Sequence, residues 1–176
     1  MERPLAILVE DQYQVLEVWY PYYRLKEEGY NVHFLGTGKE NYTSKEGYPL
    51  KAHFSLAEVK SQDYDGVIIP GGFAPDFMRR YEEPAAFVKE IWDQSKLVAA
   101  ICHGVWIPAS AGILKGQKAT CFFAIRHDII HAGAEYVDQE VCVSSNLITS
   151  RKPDDLPAFL QAILQHLGSK KGKDTT

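Results

Sequence analysis

The stretch that decides the fold is Leu97-Val98-Ala99-Ala100-Ile101-Cys102-His103-Gly104-Val105-Trp106-Ile107. An apolar run ends at a cysteine, a histidine and a glycine. Apolar residues then resume at Val105, Trp106, Ile107, Ala109 and Ala111, up to Gly112. A continuous apolar run this short suits a strand buried on both faces, as in a parallel sheet. The pattern predicts a buried strand, a sharp turn that carries Cys102, and a helix from Val105 to Gly112. The design has the logic of the elbow that lifts a serine above an α/β-hydrolase sheet.

Working outward, Leu5 to Val9 and Val67-Ile68-Ile69 are similar apolar runs, and Asn31-Val32-His33-Phe34-Leu35 is a fourth strand candidate. Helical patterns lie between them. Val15, Val18, Trp19, Tyr22 and Leu25 follow helical spacing, with Gly29 as the stop. Pro84 to Trp92 reads as a second helix. Leu156, Phe159, Leu160, Ile163, Leu164 and Leu167 mark a last one, which opens at Pro153-Asp154-Asp155 and ends at Gly168. Strands alternating with helices predict an α/β fold: a flavodoxin-like three-layer α/β/α sandwich with a mostly parallel sheet. Thr43-Ser44-Lys45-Glu46-Gly47-Tyr48 reads as a β-hairpin inserted in that scheme, and residues 135–149 as further strands. The expected organisation is a single domain over residues 1–168 and a disordered polar tail over 169–176.

With 176 residues, 45% of them hydrophobic and 24% charged, the chain can build a core without staples. Nineteen basic against 23 acidic residues give a net charge of −4. A mildly acidic chain with no basic block argues against nucleic acid as a partner. No apolar run approaches the roughly 20 residues of a membrane span. Leu5–Val9 is too short for a secretory signal, so a cytoplasmic location is expected. The three cysteines, Cys102, Cys121 and Cys142, cannot all pair.

A thiol at a helix start faces unpaired backbone N–H groups and the positive end of the dipole. Both favour the thiolate, which predicts a lowered Cys102 pKa and a nucleophilic sulfur. His103 is its candidate proton partner. The plainer alternative is a buried cysteine that only packs. Gly71-Gly72 follows its own buried strand and can present N–H groups to an oxyanion, or simply make a tight turn. His127 and His131 stand at i, i+4 without a third ligand, so no metal is expected. Gly36-Thr37-Gly38 lacks the third glycine of a dinucleotide site, and no cofactor is expected. Cys121 and Cys142 read as core.

Ala100-Ile101-Cys102-His103-Gly104 resembles the nucleophile motif of the PfpI family of intracellular proteases and amidases. That family is related to Parkinson disease protein 7 and to class I glutamine amidotransferases. Tyr20-Pro21-Tyr22-Tyr23-Arg24-Leu25-Lys26-Glu27-Glu28-Gly29, Pro70-Gly71-Gly72 with Ala74-Pro75-Asp76, Ser110-Ala111-Gly112, and Ser150-Arg151 with Pro153 extend the likeness over nearly the whole chain. The resemblance implies a homo-oligomer, dimer or hexamer. It implies Cys102 as nucleophile, His103 as its partner, and Asp76, offered from a neighbouring subunit, as the third member, where the archaeal protease has Glu. It also implies an oxyanion hole from the Gly72 and His103 amides. The family's Glu next to the cysteine aligns with Gln14, with Glu10, Asp11 or Glu17 as the acids that could substitute, though the register gives no reason to expect it. Phe122 stands where the archaeal protease has Tyr. Gln14, Gly71 and Phe122 are then expected around the sulfur.

Three functions follow as expectations. The favoured one is a cysteine hydrolase acting on peptides or small amides. The second is glyoxalase or deglycase chemistry on methylglyoxal and its adducts, which needs a proton-shuttling acid that Gln14 cannot supply. The third is a non-enzymatic, oxidation-sensing stress or chaperone protein.

Overall fold

The apolar runs become strands that are buried along their whole length. The computed structural model describes residues 3–171 of the chain. It opens with β1 (Leu5–Leu8), α1 (Val15–Glu27) and β2 (Val32–Gly36). A hairpin of β3 (Asn41–Thr43) and β4 (Pro49–Lys51) follows, then β5 (Phe54–Ser55), β6 (Gly66–Ile69), α2 (Ala74–Met78), α3 (Glu83–Asp93) and β7 (Leu97–Ile101). After these come α4 (Trp106–Ser110), β8 (Lys118–Ala119), α5 (Arg126–His131), β9 (Glu135–Tyr136), β10 (Val141–Ser144), β11 (Leu147–Ser150) and α6 (Leu156–Lys171). Every residue of β1, β6 and β7 is buried, as strands covered by helices on both faces must be.

The main sheet has seven strands in the order β10-β11-β7-β6-β1-β2-β5. All neighbours run parallel except β10, which pairs antiparallel with β11 at one edge. From β1 the chain builds outward through β2 and β5. It then returns to the other side of β1 with β6, β7 and β11. The connections therefore diverge between β1 and β6, and a crevice opens beyond the carboxyl ends of these strands. Leu8, Ile69 and Ile101 end their strands there.

Local chemistry sets the ends of α1. The Gln14 side chain accepts a hydrogen bond from Glu17 N at 3.0 Å, an N-cap. Gly29, at φ +85°, closes the other end, with Tyr30 N donating back to Leu25 O. Tyr22 stacks on Phe34, while Tyr20 and Tyr23 of the same motif are exposed.

Four expectations change in detail. The helix after Cys102 is shorter than predicted: residues 102–105 form a 3-10 turn, and α4 stops at Ser110. Pro108 has no N–H to donate back along the helix, and Gly112 at φ +72° turns the chain away. The hairpin forms, but as its own two-stranded sheet. Within 135–149, β9 pairs with β8 outside the main sheet. Finally, α6 continues through Gly168 to Lys171, so the predicted tail begins as helix. The rest of that tail, 172–176, lies outside the described residues.

Gly104 packs directly against the end of β6. A Cβ there would sit 2.4 Å from Ile69 O and 2.7 Å from Pro70 O. Both obstacles are backbone, so the turn would have to move. Gly104→Ala is expected to destabilise the protein by about 2–3 kcal/mol in urea titrations. A change within about 0.5 kcal/mol would show that the contact has slack.

Candidate active site

Cys102 has φ +61°, a left-handed conformation that few non-glycine residues adopt. Cys102 is buried at the end of β7, with 7% of the residue's surface exposed. The backbone N–H groups of His103 and Gly72 act on the sulfur in the direction that favours its anion. His103 Nδ1 is 3.4 Å from Sγ. Its imidazole stacks on Phe122 at 4.9 Å between centroids and meets the edge of Trp106 at 5.2 Å. One wall of the site is therefore aromatic.

The opposite wall is backbone from two loops. Tyr13 bridges to Gly72, Gln14 N donates to Gly71 O, and Phe73 N donates to Gln12 O. Gly72 stands at φ +81°, and a Cβ there would collide with the backbone of residues 12–14. Gly71 is needed for another reason. A Cβ on it would lie 2.7 Å from Glu17 Oε2, 2.8 Å from Cys102 Cβ and 3.1 Å from Cys102 Sγ. A carboxyl group and a thiol converge on the space that this glycine leaves empty.

Glu17 has no exposed surface. Its Oε2 accepts a hydrogen bond from Gly71 N at 2.7 Å, while Oε1 has no hydrogen-bond partner among the described residues. An ionised carboxylate so placed would be costly. Burial pushes its pKa up to about 8, against the opposing pull of the Gly71 amide. At neutral pH Glu17 is therefore mostly protonated. Burial also pushes the Cys102 thiol up, to about 12, and the negative charge Glu17 would carry when ionised adds to that. This corrects the expectation of a lowered thiol pKa. The 3-10 turn and short α4 carry little dipole, and loss of water outweighs the two amides. Burial, and next the charge of Lys45, lower the His103 pKa, so the ring is neutral and able to take a proton.

Cys102, His103, Gly71, Gly72 and Phe122 come together as the sequence suggests. The side chains of Gln14 and Asp76 do not join them. The Gln14 side chain is spent on capping α1, and the carboxyl at the cysteine comes from one turn further along the helix. The expected lack of an acid beside the sulfur is thereby overturned. Asp76, on α2, is exposed and pairs with Arg80 at 2.7 Å. Within one chain, among the described residues, no carboxylate hydrogen-bonds His103. Glu17 was detectable: it shares the buried face of α1 with Val18, Pro21 and Leu25, where a charge has no packing reason to be. Among the described residues, no group of His, Cys, Asp and Glu is arranged to hold a metal ion, and no helix is long and apolar enough to cross a membrane.

The raised Glu17 pKa makes a prediction about stability. The unfolded carboxyl titrates near its ordinary 4.5 and the folded one near 8. The preference for the protonated form thus supports the fold fully below the unfolded value and is lost as pH rises through 8. Glu17→Gln stays neutral throughout. Measured against wild type in urea, it should gain roughly 2–4 kcal/mol between pH about 5 and about 9. A gap that does not widen with pH would mean that Glu17 titrates normally.

The chain can now be set beside known proteins. A family model described as DJ-1/PfpI family matches residues 3–166. Deglycase PfpI from Pyrococcus furiosus is 39% identical over 163 residues, 93% of this chain and 98% of that protein. A Bacillus subtilis protein named "Putative cysteine protease YraA" is 42% identical over 161 residues, 90% of this chain and 95% of that one. Among solved structures, a two-domain Anabaena variabilis protein with DJ-1/ThiJ/PfpI-like and ferritin-like domains superposes with a TM-score of 0.92 at 42% identity. The match covers 95% of this chain and 48% of the Anabaena chain. Drosophila melanogaster DJ-1beta gives a TM-score of 0.88 at 25% identity, over 95% of this chain and 91% of its own. With the elbow, the paired glycines and the buried acid in their places, this chain belongs to the DJ-1/PfpI family.

Proposed function

We propose that the protein is a cysteine-dependent enzyme of the glyoxalase or deglycase type, acting on 2-oxoaldehydes such as methylglyoxal and on their adducts. One observation carries this reading: the carboxyl of the buried Glu17 meets the Cys102 thiol in the space beside Gly71, where burial favours its protonated form. Chemistry of this type moves a proton between adjacent carbons, and an acid with a pKa near neutrality suits both directions of transfer. The names of several relatives support it, Deglycase PfpI and the Thermococcus kodakarensis protein Deglycase TK1284 among them.

The steps balance with residues already in place. His103 takes the thiol proton as the sulfur adds to the aldehyde carbon. Glu17 gives its proton to the carbonyl oxygen, so a hemithioacetal forms and Glu17 becomes a carboxylate beside the carbon-bound hydrogen. That carboxylate removes the hydrogen as a proton while protonated His103 gives its proton to the neighbouring ketone oxygen, which makes an enediol. Glu17 then returns its proton to that neighbouring carbon as the first hydroxyl gives its proton back to His103, leaving a 2-hydroxyacyl thioester. Water then attacks the thioester carbonyl with its proton passing to the Glu17 carboxylate. The carbon–sulfur bond breaks, the sulfur takes the proton held on His103, and the 2-hydroxy acid leaves with Glu17, His103 and the thiol restored. The Gly72 and His103 amides lie where they can hold the oxyanion of this last step.

Hydrolysis of peptides or small amides is the second reading, favoured by the name of the Bacillus relative and by the Cys102–His103 contact. It would use Asp76 from a second copy of the chain to orient His103, since Asp76 does not reach that ring from its own chain. The two readings separate on methylglyoxal turnover. Cys102→Ala is expected to abolish it, and Glu17→Gln to lower kcat by about 10²–10⁴ while iodoacetamide still labels Cys102. Asp76→Asn should leave it within about twofold. Full turnover by Glu17→Gln, or peptidase activity without any action on methylglyoxal, would overturn the deglycase reading.

A further inference from the structure

A histidine that takes a proton from a neighbouring thiol needs its ring held, and a third group commonly does this through a hydrogen bond. Among the described residues no carboxylate hydrogen-bonds His103, and Asp76 is paired with Arg80 at 2.7 Å. His103 Nδ1 nonetheless stands 3.4 Å from Cys102 Sγ. The groups printed against the ring are aromatic. Phe122 lies along one face, at 4.9 Å between centroids and 29° between planes, and Trp106 meets the ring at 5.2 Å and 71°. Phe122 is anchored to the elbow itself, since its backbone N–H donates to Cys102 O at 3.4 Å.

Trp106 follows three residues after His103, where the 3-10 turn passes into α4. Side chains three apart on such a turn project to the same side. The indole is tied at two further points. Its Nε1 donates to Asp128 Oδ2 at 2.7 Å, and the Arg79 guanidinium lies over its ring at 5.1 Å while Arg79 Nε donates to Ser110 Oγ at 3.0 Å. Asp128 belongs to α5, and Arg79 caps the end of α2. Three elements thus converge on one indole, and the indole bears on His103. Core packing does not require this, because Trp106 is half-buried while Asp128 and Arg79 are exposed. An indole released from Asp128 has other staggered rotamers open to it, and His103 then loses one of the two rings that hold it.

We propose that Trp106 and Asp128 are positioning residues: the Asp128 hydrogen bond holds the indole, and the indole and Phe122 together hold the His103 imidazole with Nδ1 turned to the Cys102 thiol. The inference rests on the proposed enzyme, in which His103 takes and returns protons, and adds what aims that base. Neither residue exchanges a proton with substrate. The aromatic clamp also differs from a carboxylate in its chemistry. An adjacent carboxylate strongly favours the imidazolium, whereas stacked and edge-on rings orient the imidazole through individually weak contacts and leave it able to accept a proton.

Two measurements test this, and one does not depend on turnover. The His103 ring resonances in NMR, assigned by their loss in His103→Gln, are expected to carry ring-current shifts from Phe122 and Trp106. Asp128→Ala should move them toward the values of an unstacked histidine. Asp128→Asn, which keeps an acceptor for the indole N–H, should leave them close to wild type. On methylglyoxal, Asp128→Ala and Trp106→Phe are each expected to lower kcat about tenfold with KM within about twofold. The double variant should lose scarcely more than either single one, because both remove the same bond, and Asp128→Asn should retain most of the wild-type kcat. Substitution at an exposed position such as Asp128 changes stability little, so these losses should come without a matching fall in melting temperature. Unmoved His103 resonances or full kcat in Asp128→Ala, a loss that Asp128→Asn shares, or additive losses in the double variant would overturn the proposal. Absence of methylglyoxal turnover in wild type, with the resonances shifting as stated, would remove the deglycase reading and leave the clamp standing.

Discussion

Glu17 and Cys102 lose their water at the same place when the chain folds, in the space kept open by Gly71. Burial raises the proton affinity of both groups, and the charge Glu17 would carry when ionised raises that of the thiol further. The site therefore rests in its neutral form, with a proton on each group, and a substrate carbonyl gives those protons somewhere to go. The paired glycines, the capped start of α1 and the strained turn at Cys102 are all conditions for this meeting.

The sheet supplies the position. Because β1, β6 and β7 are adjacent and parallel, their carboxyl ends deliver three loops to one crevice: the segment leading into α1, the Pro70-Gly71-Gly72 turn, and the cysteine elbow. Gly104 allows the elbow to lie against the carbonyls of Ile69 and Pro70. The hairpin adds a fourth wall, since the Tyr13 hydroxyl donates to Tyr48 O. The tension is visible in the chemistry: strands buried deeply enough to hold the elbow also raise the cost of making the sulfur anionic.

Much of the fold was legible because continuous apolar runs and helical spacing are strong local signals. Leu97–Ile101, Val15–Leu25 and the Leu156–Leu167 stripe all became the expected elements. The shortness of α4 was harder to read, since it depends on Pro108 and the turn at Gly112 more than on apolar spacing. The separate pairing of β8 with β9 depends on contacts far apart in sequence. In the site, Cys102, His103, Gly71, Gly72 and Phe122 were readable from their places after strands. Glu17 was only one of three acids that could substitute, because the alignment placed the family acid at Gln14, one helical turn too early. Only the burial pattern of α1 tells the cap from the acid. The Asp76 side chain illustrates the opposite limit, as a motif position does not say which group it will reach within one chain.

The account depends on Glu17 holding its proton at neutral pH. Carbon-13 NMR of protein labelled at the glutamate carboxyls, with Glu17→Gln to assign the resonance, measures this directly. One carboxyl should titrate near 8, well apart from the exposed glutamates, and should vanish in the variant. A Glu17 resonance that titrates near the ordinary 4.5 would contradict the account.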